Sequence, residues 1–324
     1  MLVVNFYLII FFIKIAKKRQ IVAIGNNKNL HEGIIPRGAG IVFGFIYLFS
    51  IAMAFRENYI TSDIFFPIIL GSFLCLLLGF VDDVYDLKIL VKFSFQFLII
   101  FLLIFYFFNP SLFENNYILN FISIIVITFL AIWTLNAYNF IDGADGHLGS
   151  VAFMQGFLLM ISLNMHKNFD LMIPIFLLCS VLLVFLKFNW SPAKVFMGDA
   201  GSLFIGINFI IYILLSMKFS FMSFFSILII FSYYLIDTLG TFVIRLYLKK
   251  TWKVRHRSHP YQNFSRIYSH SRMSKLAIVY HLVWLLPLLI LSNMFTNYEV
   301  ILSLIAIIPA IVFLVKFGPI YSSE

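Results

Sequence analysis

Asp82 and Asp83 stand side by side at the end of an apolar run, in Gly79-Phe80-Val81-Asp82-Asp83-Val84-Tyr85-Asp86. Adjacent carboxylates at such a boundary repel one another and are costly unless cations or hydrogen-bond donors compensate. On a helix, Asp82 and Asp86 share a face at i,i+4, while Asp83 is turned from them by about 100°. The pair suits metal binding or proton transfer on a phosphate substrate. A solvated polar helix end is the plainer reading, but no Lys or Arg just N-terminal to the pair supplies the compensation it would need.

A second cluster runs Asn136-Ala137-Tyr138-Asn139-Phe140-Ile141-Asp142-Gly143-Ala144-Asp145-Gly146-His147. Asn136, Asn139, Asp142 and Asp145 recur every three residues, which predicts a polar stripe across a helix end. Gly143 and Gly146 allow close backbone approach. Amides, carboxylates and exposed N–H groups suit a nucleotide diphosphate with its metal. An Asn/Asp/Gly turn explains the composition but not four polar residues in register. His147 reads as a hydrogen-bonded loop residue.

The third cluster, Asn189 to Ser202, contains Lys194-Val195-Phe196-Met197-Gly198-Asp199-Ala200-Gly201-Ser202. Asp199 sits between two glycines just before an apolar run, so its side chain can reach outward while backbone approaches a ligand. Lys194 offers a point charge for phosphate. The same residues also read as an N-capping turn with Asp199 or Ser202 as the cap, and both readings stand. The fourth cluster is Arg255-His256-Arg257-Ser258-His259-Pro260-Tyr261-Gln262, in a basic stretch. Orientation and anionic-lipid binding account for its Lys and Arg. Two His beside Tyr261 and Gln262 suit a donor's phosphates or sugar. Asp237, about two turns inside the ninth apolar run, is a functional candidate by its position, with an ion pair to Arg245 as the alternative. His166, His270 and His281 have no local company and receive no role.

The elements that must position these clusters are membrane helices. The chain of 324 residues is 62% hydrophobic and 11% charged, with mean hydropathy +1.00. A soluble domain has roughly 45–50% apolar and 25% charged residues, so this chain lacks the polar surface to cover a water-soluble particle. A spanning helix needs about 20 apolar residues. About eleven such runs (ten or eleven) are centred near Ile9, Ile46, Leu74, Ile100, Val126, Leu158, Leu178, Ile210, Ile229, Trp284 and Ile308. The expected fold is therefore all-α, one polytopic helical bundle over residues 1–324 with no separate soluble domain. The first run reads as a retained span, because Lys14, Lys17, Lys18 and Arg19 follow it without a cleavage site. Those charges place its C-terminal end in the cytoplasm.

Threading eleven spans from there leaves only Arg56, Lys167 and Lys218, of 23 basic side chains, on the opposite side. The net charge of +9 thus reads as membrane orientation and not as nucleic-acid binding. Pro36-Arg37-Gly38 and all four clusters fall at cytoplasmic ends. Cys75 and Cys179 lie inside apolar runs without metal or disulfide spacing and read as small apolar side chains.

These motifs, in this order and over nearly the whole chain, resemble the polyprenyl-phosphate N-acetylhexosamine-1-phosphate transferase family (glycosyltransferase family 4). Pro36-Arg37-Gly38-Ala39-Gly40, Asp82-Asp83, the Asn136-to-Gly146 cluster, Lys194-to-Ser202 and the His loop carry the likeness. The resemblance implies a cytoplasmic-facing enzyme of the bacterial inner membrane that moves a HexNAc-1-phosphate from a UDP-N-acetylhexosamine to undecaprenyl phosphate. It implies Mg²⁺, with Mn²⁺ as the alternative ion, contacted by Asp199 and with Asp142 as a further ligand. Asp82 and Asp83 are implicated with the lipid phosphate and with catalysis alongside Asp199. Arg37, Asn136, Asn139, Asp142, Asp145, Lys194, His256, Arg257 and His259 are the implied substrate-binding residues. The His-Arg-Ser-His-x-Tyr-Gln form departs from the His-His-His pattern of the muramoyl-pentapeptide translocase. It resembles the O-antigen-initiating branch, which uses GlcNAc or a 6-deoxy-HexNAc. Membrane lipids are expected partners, and a homodimer is left open.

Two rival readings carry different expectations. Asp82-Asp83-Val84-Tyr85-Asp86 also has the Asp-Asp-x-x-Asp form of an intramembrane prenyltransferase with aspartate-rich metal sites. A polytopic transporter would need carboxylates near the bilayer midplane, where only Asp237 approaches that pattern.

Overall fold

A computed structural model describes residues 1–19, 22–24, 34–108, 117–250 and 257–320 of the chain. In chain order the elements are α1 (Leu2–Lys18), β1 (Val22–Ile24), β2 (Ile34–Pro36), α2 (Gly40–Arg56), α3 (Ser62–Tyr85), α4 (Ile89–Phe108), α5 (Tyr117–Phe140), α6 (His147–Met165) and α7 (Phe169–Asn189). They continue with α8 (Gly198–Phe219), α9 (Phe224–Tyr247), α10 (Pro260–Tyr268), α11 (His270–Val279), α12 (Leu286–Met294) and α13 (Glu299–Phe317). A π-helical turn, Tyr280–Leu285, joins α11 to α12.

Every one of the eleven apolar runs is helical, because a segment without water must satisfy its backbone internally. Among the described residues, nine helices are long and apolar enough to cross a membrane. They are α3 to α9, the stretch His270–Met294, and Thr296–Phe317. The other two, α1 and α2, have 17 residues each, at the short end of the spanning range. This corrects eleven full-length spans to nine plus two short helices. The all-α expectation also misses a two-stranded antiparallel ribbon, in which Val22 pairs with Pro36 and Ile24 with Ile34.

The core is built around α8, the most buried of the spans. Leu203, Phe204, Ile205, Ile207, Phe209 and Ile211 are all fully enclosed. Its main partner is α3, and the two approach so closely that a Cβ at Gly79 would collide with the backbone of Asp199 and Ala200. Large side chains such as Phe97, Phe101, Phe121 and Phe129 are exposed on α4 and α5, as lipid contact allows. Polar residues point inward instead, and Tyr138 Oη donates to Gln155 at 2.7 Å. Such an interhelical bond contributes about 0.6 kcal/mol.

Alternating helix directions bring the C-terminal ends of α3, α5 and α7 together with the N-terminal ends of α4, α6 and α8. That end holds the polar clusters.

Candidate active site

At the end of α3 the helix stops at Tyr85, and Asp86 adopts a left-handed conformation with φ 48°. Asp86 is the C-cap: its N–H still donates to Asp82 O at 2.9 Å, but its left-handed backbone takes it out of the helical conformation, so the regular i,i+4 helical geometry of an Asp-Asp-x-x-Asp site is not kept. Asp82 Oδ1 instead accepts the backbone N–H of Leu87 at 2.9 Å. Its Oδ2 lies 2.8 Å from Lys92 Nζ, on the first turn of α4.

Asp83 points the other way, into α8. Its two oxygens accept the backbone N–H groups of Asp199 at 2.9 Å and Ala200 at 3.0 Å. Helix N-termini present unpaired N–H groups and a positive dipole end, so this carboxylate caps α8 from another helix. Neither Asp199 nor Ser202 is the cap; the N-cap position is Met197, with no side-chain cap bond. Gly198 makes room: its φ is +72°, and a Cβ there would fall on the Asp83 carboxylate.

Arg37 ties the two acids together. Its Nε lies 2.8 Å from Asp83 Oδ1 and its Nη2 2.7 Å from Asp199 Oδ1. The loop carrying it is pinned to the segment before α8: Phe196 N–H donates to Pro36 O at 2.8 Å, and Gly40 N–H to Met197 O at 2.9 Å. Burial works against the Arg37 charge, but the carboxylates of Asp83 and Asp199 outweigh it and raise its pKa above the usual arginine value. Lys92 Nζ completes the cluster by contacting Asp199 Oδ2 as well as Asp82. Sequence reasoning counted Lys92 only as a cytoplasmic charge.

The Asn/Asp stripe splits where α5 ends. Asn136 pairs with Gln96 of α4, donating from Nδ2 to Oε1 at 2.9 Å. Asn139 Nδ2 donates to Ser202 Oγ of α8 at 3.2 Å. Asp142, in the turn beyond, feels the charges of Asp199, Arg37 and Asp83. Burial first, and the nearby Asp199 second, push its carboxyl well above the usual carboxylate range. Asp145 turns from the cluster to hold loops: its Oδ2 accepts Ala193 N–H at 3.1 Å, and its own N–H donates to His270 Nδ1 at 3.2 Å. The stripe in register thus divides: Asn136 and Asn139 make contacts from within α5, while Asp142 and Asp145 lie in the turn beyond Phe140, where the helix ends.

Lys194 is exposed, and among the described residues its ammonium joins none of these ion pairs. His256 lies outside the described residues. Arg257 accepts Arg266 Nη2 on its carbonyl at 2.9 Å. His259 Nδ1–H donates to Asp237 Oδ1 at 2.8 Å, in place of the ion pair to Arg245 that stood as the alternative to a functional role. Arg245 instead donates to Ser258 Oγ at 2.9 Å. His147 is fully buried, stacked on Tyr261 with ring centroids 4.8 Å apart. A lone His at a helix end gave no sign of that.

Comparison with known proteins adds a family. The sequence model of Glycosyl transferase family 4 matches residues 65–217, from α3 to the end of α8. The chain is 28% identical over 275 residues to a Bacillus subtilis protein named "Probable undecaprenyl-phosphate N-acetylglucosaminyl 1-phosphate transferase", covering 81% of this chain and 75% of the relative. It is 30% identical to the phospho-N-acetylmuramoyl-pentapeptide-transferase of Wolbachia pipientis, over 63% of this chain and 69% of the relative. A shorter stretch is 44% identical to the enzyme of the same name from Streptococcus gordonii, over 27% of each chain.

Proposed function

Because this chain belongs to glycosyl transferase family 4, the polyprenyl-phosphate N-acetylhexosamine-1-phosphate transferases, we propose that it transfers an N-acetylhexosamine-1-phosphate from a UDP-sugar to undecaprenyl phosphate. The sugar is GlcNAc or a 6-deoxy-HexNAc, UMP is released, and the product starts an O-antigen or another envelope polysaccharide. The enzyme works at the cytoplasmic face of a bacterial inner membrane. The observation that carries this reading is the convergence of Asp82, Asp83 and Asp199 with Arg37 and Lys92 at one end of the bundle.

In the reaction an oxygen of the acceptor phosphate attacks the phosphorus that bears the sugar. The bond from that phosphorus to the bridging oxygen breaks, and UMP leaves with the electron pair. Such transfers ask the protein for positioning and electrostatics more than for covalent chemistry. Arg37 and Lys92 supply fixed positive charge beside the reacting phosphates. Asp82 holds Lys92, and Asp83 holds both Arg37 and the start of α8. A strong base is not required, since a phosphate's second pKa is about 6.

Among the described residues no three His, Cys, Asp or Glu side chains form a metal cage. Magnesium does not need one: it takes one or two carboxylates and fills its shell with water and phosphate oxygens. Asp199 and Asp142 fit that habit, with Mn²⁺ as the alternative ion. A bound ion would neutralise charge on the diphosphate of the donor.

The prenyltransferase alternative loses support with the left-handed turn at Asp86. The departure of Arg257-Ser258-His259 from a His-His-His pattern argues for a simple HexNAc donor over the muramoyl-pentapeptide. Membranes containing the protein, given undecaprenyl phosphate and a panel of labelled UDP-N-acetylhexosamines, should form UMP and a lipid-linked sugar phosphate identified by mass. Absence of both with every donor would refute the assignment.

A further inference from the structure

The transfer chemistry makes no use of Asp237, an acid inside α9 that is only 4% exposed. A carboxylate so placed costs several kcal/mol unless it is paired and hydrogen-bonded. Here both oxygens are engaged by one loop. Oδ1 accepts Nδ1–H of His259 at 2.8 Å, and Oδ2 accepts the backbone N–H of Tyr261 at 3.3 Å, at the start of α10. Two turns along α9, Arg245 donates to Ser258 Oγ. The helix therefore grips Ser258, His259 and Tyr261, which together form the entry to α10.

The other side of the same loop is fastened to the turn that carries Asp142. Tyr261 Oη donates to Phe140 O at 2.6 Å. The Tyr261 ring stacks on His147, and a Cβ at Gly143 would collide with Tyr261 Oη and lie 2.9 Å from Gln262 Nε2. His259 itself lies against Phe140, with ring centroids 6.1 Å apart. A carboxylate bonded to one ring nitrogen of a His fixes the tautomer and the direction of the ring. Asp237 thus sets two things at once: how His259 is turned, and where Tyr261 holds the Phe140–Gly143 turn.

Both segments join helices, the turn between α5 and α6 and the entry to α10, and in the transferase reading a soluble nucleotide sugar reaches the site from the aqueous side. The acceptor phosphate stays tethered to its lipid, at the ends of α3 and α4. We propose that Asp237 is a positioning residue for the donor half of the site: it orients His259 and, through Tyr261, the Asp142 turn toward the UDP-sugar. This rests on the transferase reading above.

The test is steady-state kinetics of the purified full-length protein with each substrate varied, for the wild type, Asp237→Asn, Asp237→Glu, His259→Ala and the Asp237→Asn/His259→Ala double variant. Asp237→Asn should raise KM for the UDP-sugar about tenfold and leave KM for undecaprenyl phosphate unchanged. Asp237→Glu should recover most of that loss, and the double variant should match His259→Ala. Equal changes in both KM values, multiplying effects in the double variant, or a wild-type Asp237→Asn would overturn the proposal. A wild type without turnover would refute the transferase reading instead. Protection by UDP against thermal unfolding then decides on the same variants, and no protection of the wild type would sink both.

Discussion

Asp83 closes the N-terminus of the helix that contains Asp199: the Asp83 carboxylate, on α3, accepts the Asp199 backbone N–H at 2.9 Å. The two acids are 116 residues apart in sequence, yet one builds the platform on which the other stands. Asp83 is fully enclosed and also holds Arg37. Arg37 is half-exposed, which weakens the ion pair, but the two N–H groups at the start of α8 would lose their acceptor, at about 1–3 kcal/mol each. Asp83→Ala should therefore lower the thermal midpoint of the detergent-purified protein as well as abolish turnover. An unchanged midpoint would mean that the cap is not needed to hold α8.

Asp199→Asn should behave differently. The capping bond to Asp83 comes from the Asp199 backbone and survives the substitution. Only the carboxylate that faces Arg37, Lys92 and the proposed ion loses its charge. Expression and membrane insertion should stay close to wild type, and the thermal midpoint should fall less than in Asp83→Ala because the cap of α8 is intact, while UMP release falls below detection. Normal turnover would remove Asp199 from the metal assignment.

The fold was largely legible because the membrane narrows the options: a run of about 20 apolar residues has to be a helix, and each predicted run is one. The gathering of acids at one end was legible for the same reason, since alternating helices place every second boundary on the same face. What could not be read was which side chain meets which. Lys92 is ten residues from Asp82, beyond any helical register, and reaches it only because the chain reverses between α3 and α4. The cap of α8 comes from another helix, so Gly198-Asp199-Ala200 carried no local sign of it. Asn136 has the spacing of a ligand-binding stripe, but a buried Gln96 opposite takes its amide.

Lys92→Met tests the residue that sequence reasoning passed over. The ammonium balances Asp82 and Asp199 together, and methionine keeps the volume without the charge. Loss of one positioned electrostatic group typically costs about 100-fold in kcat, and UMP release should fall by that order. Lys92→Arg should restore part of it, since the charge returns with a different shape. Activity within about threefold of wild type in Lys92→Met, a ΔΔG‡ below 1 kcal/mol, would reduce Lys92 to charge balance in the resting site.

Orientation is checked by labelling. Cys75 and Cys179 are both buried, so the native protein should react weakly with a membrane-impermeant maleimide. Lys194, just before α8, and Lys167, between α6 and α7, are exposed and lie at opposite ends of α7, a helix long enough to cross the bilayer. In intact cells Lys167→Cys should label and Lys194→Cys should not. Inverted membrane vesicles should reverse the pattern. Neither position belongs to the ion-pair cluster, and Lys167→Cys, on the far side from every implied site residue, should retain turnover and report on a working enzyme. If Lys194→Cys labels from outside, the carboxylates lie on the wrong side for a nucleotide made in the cytoplasm, and the donor assignment fails with them.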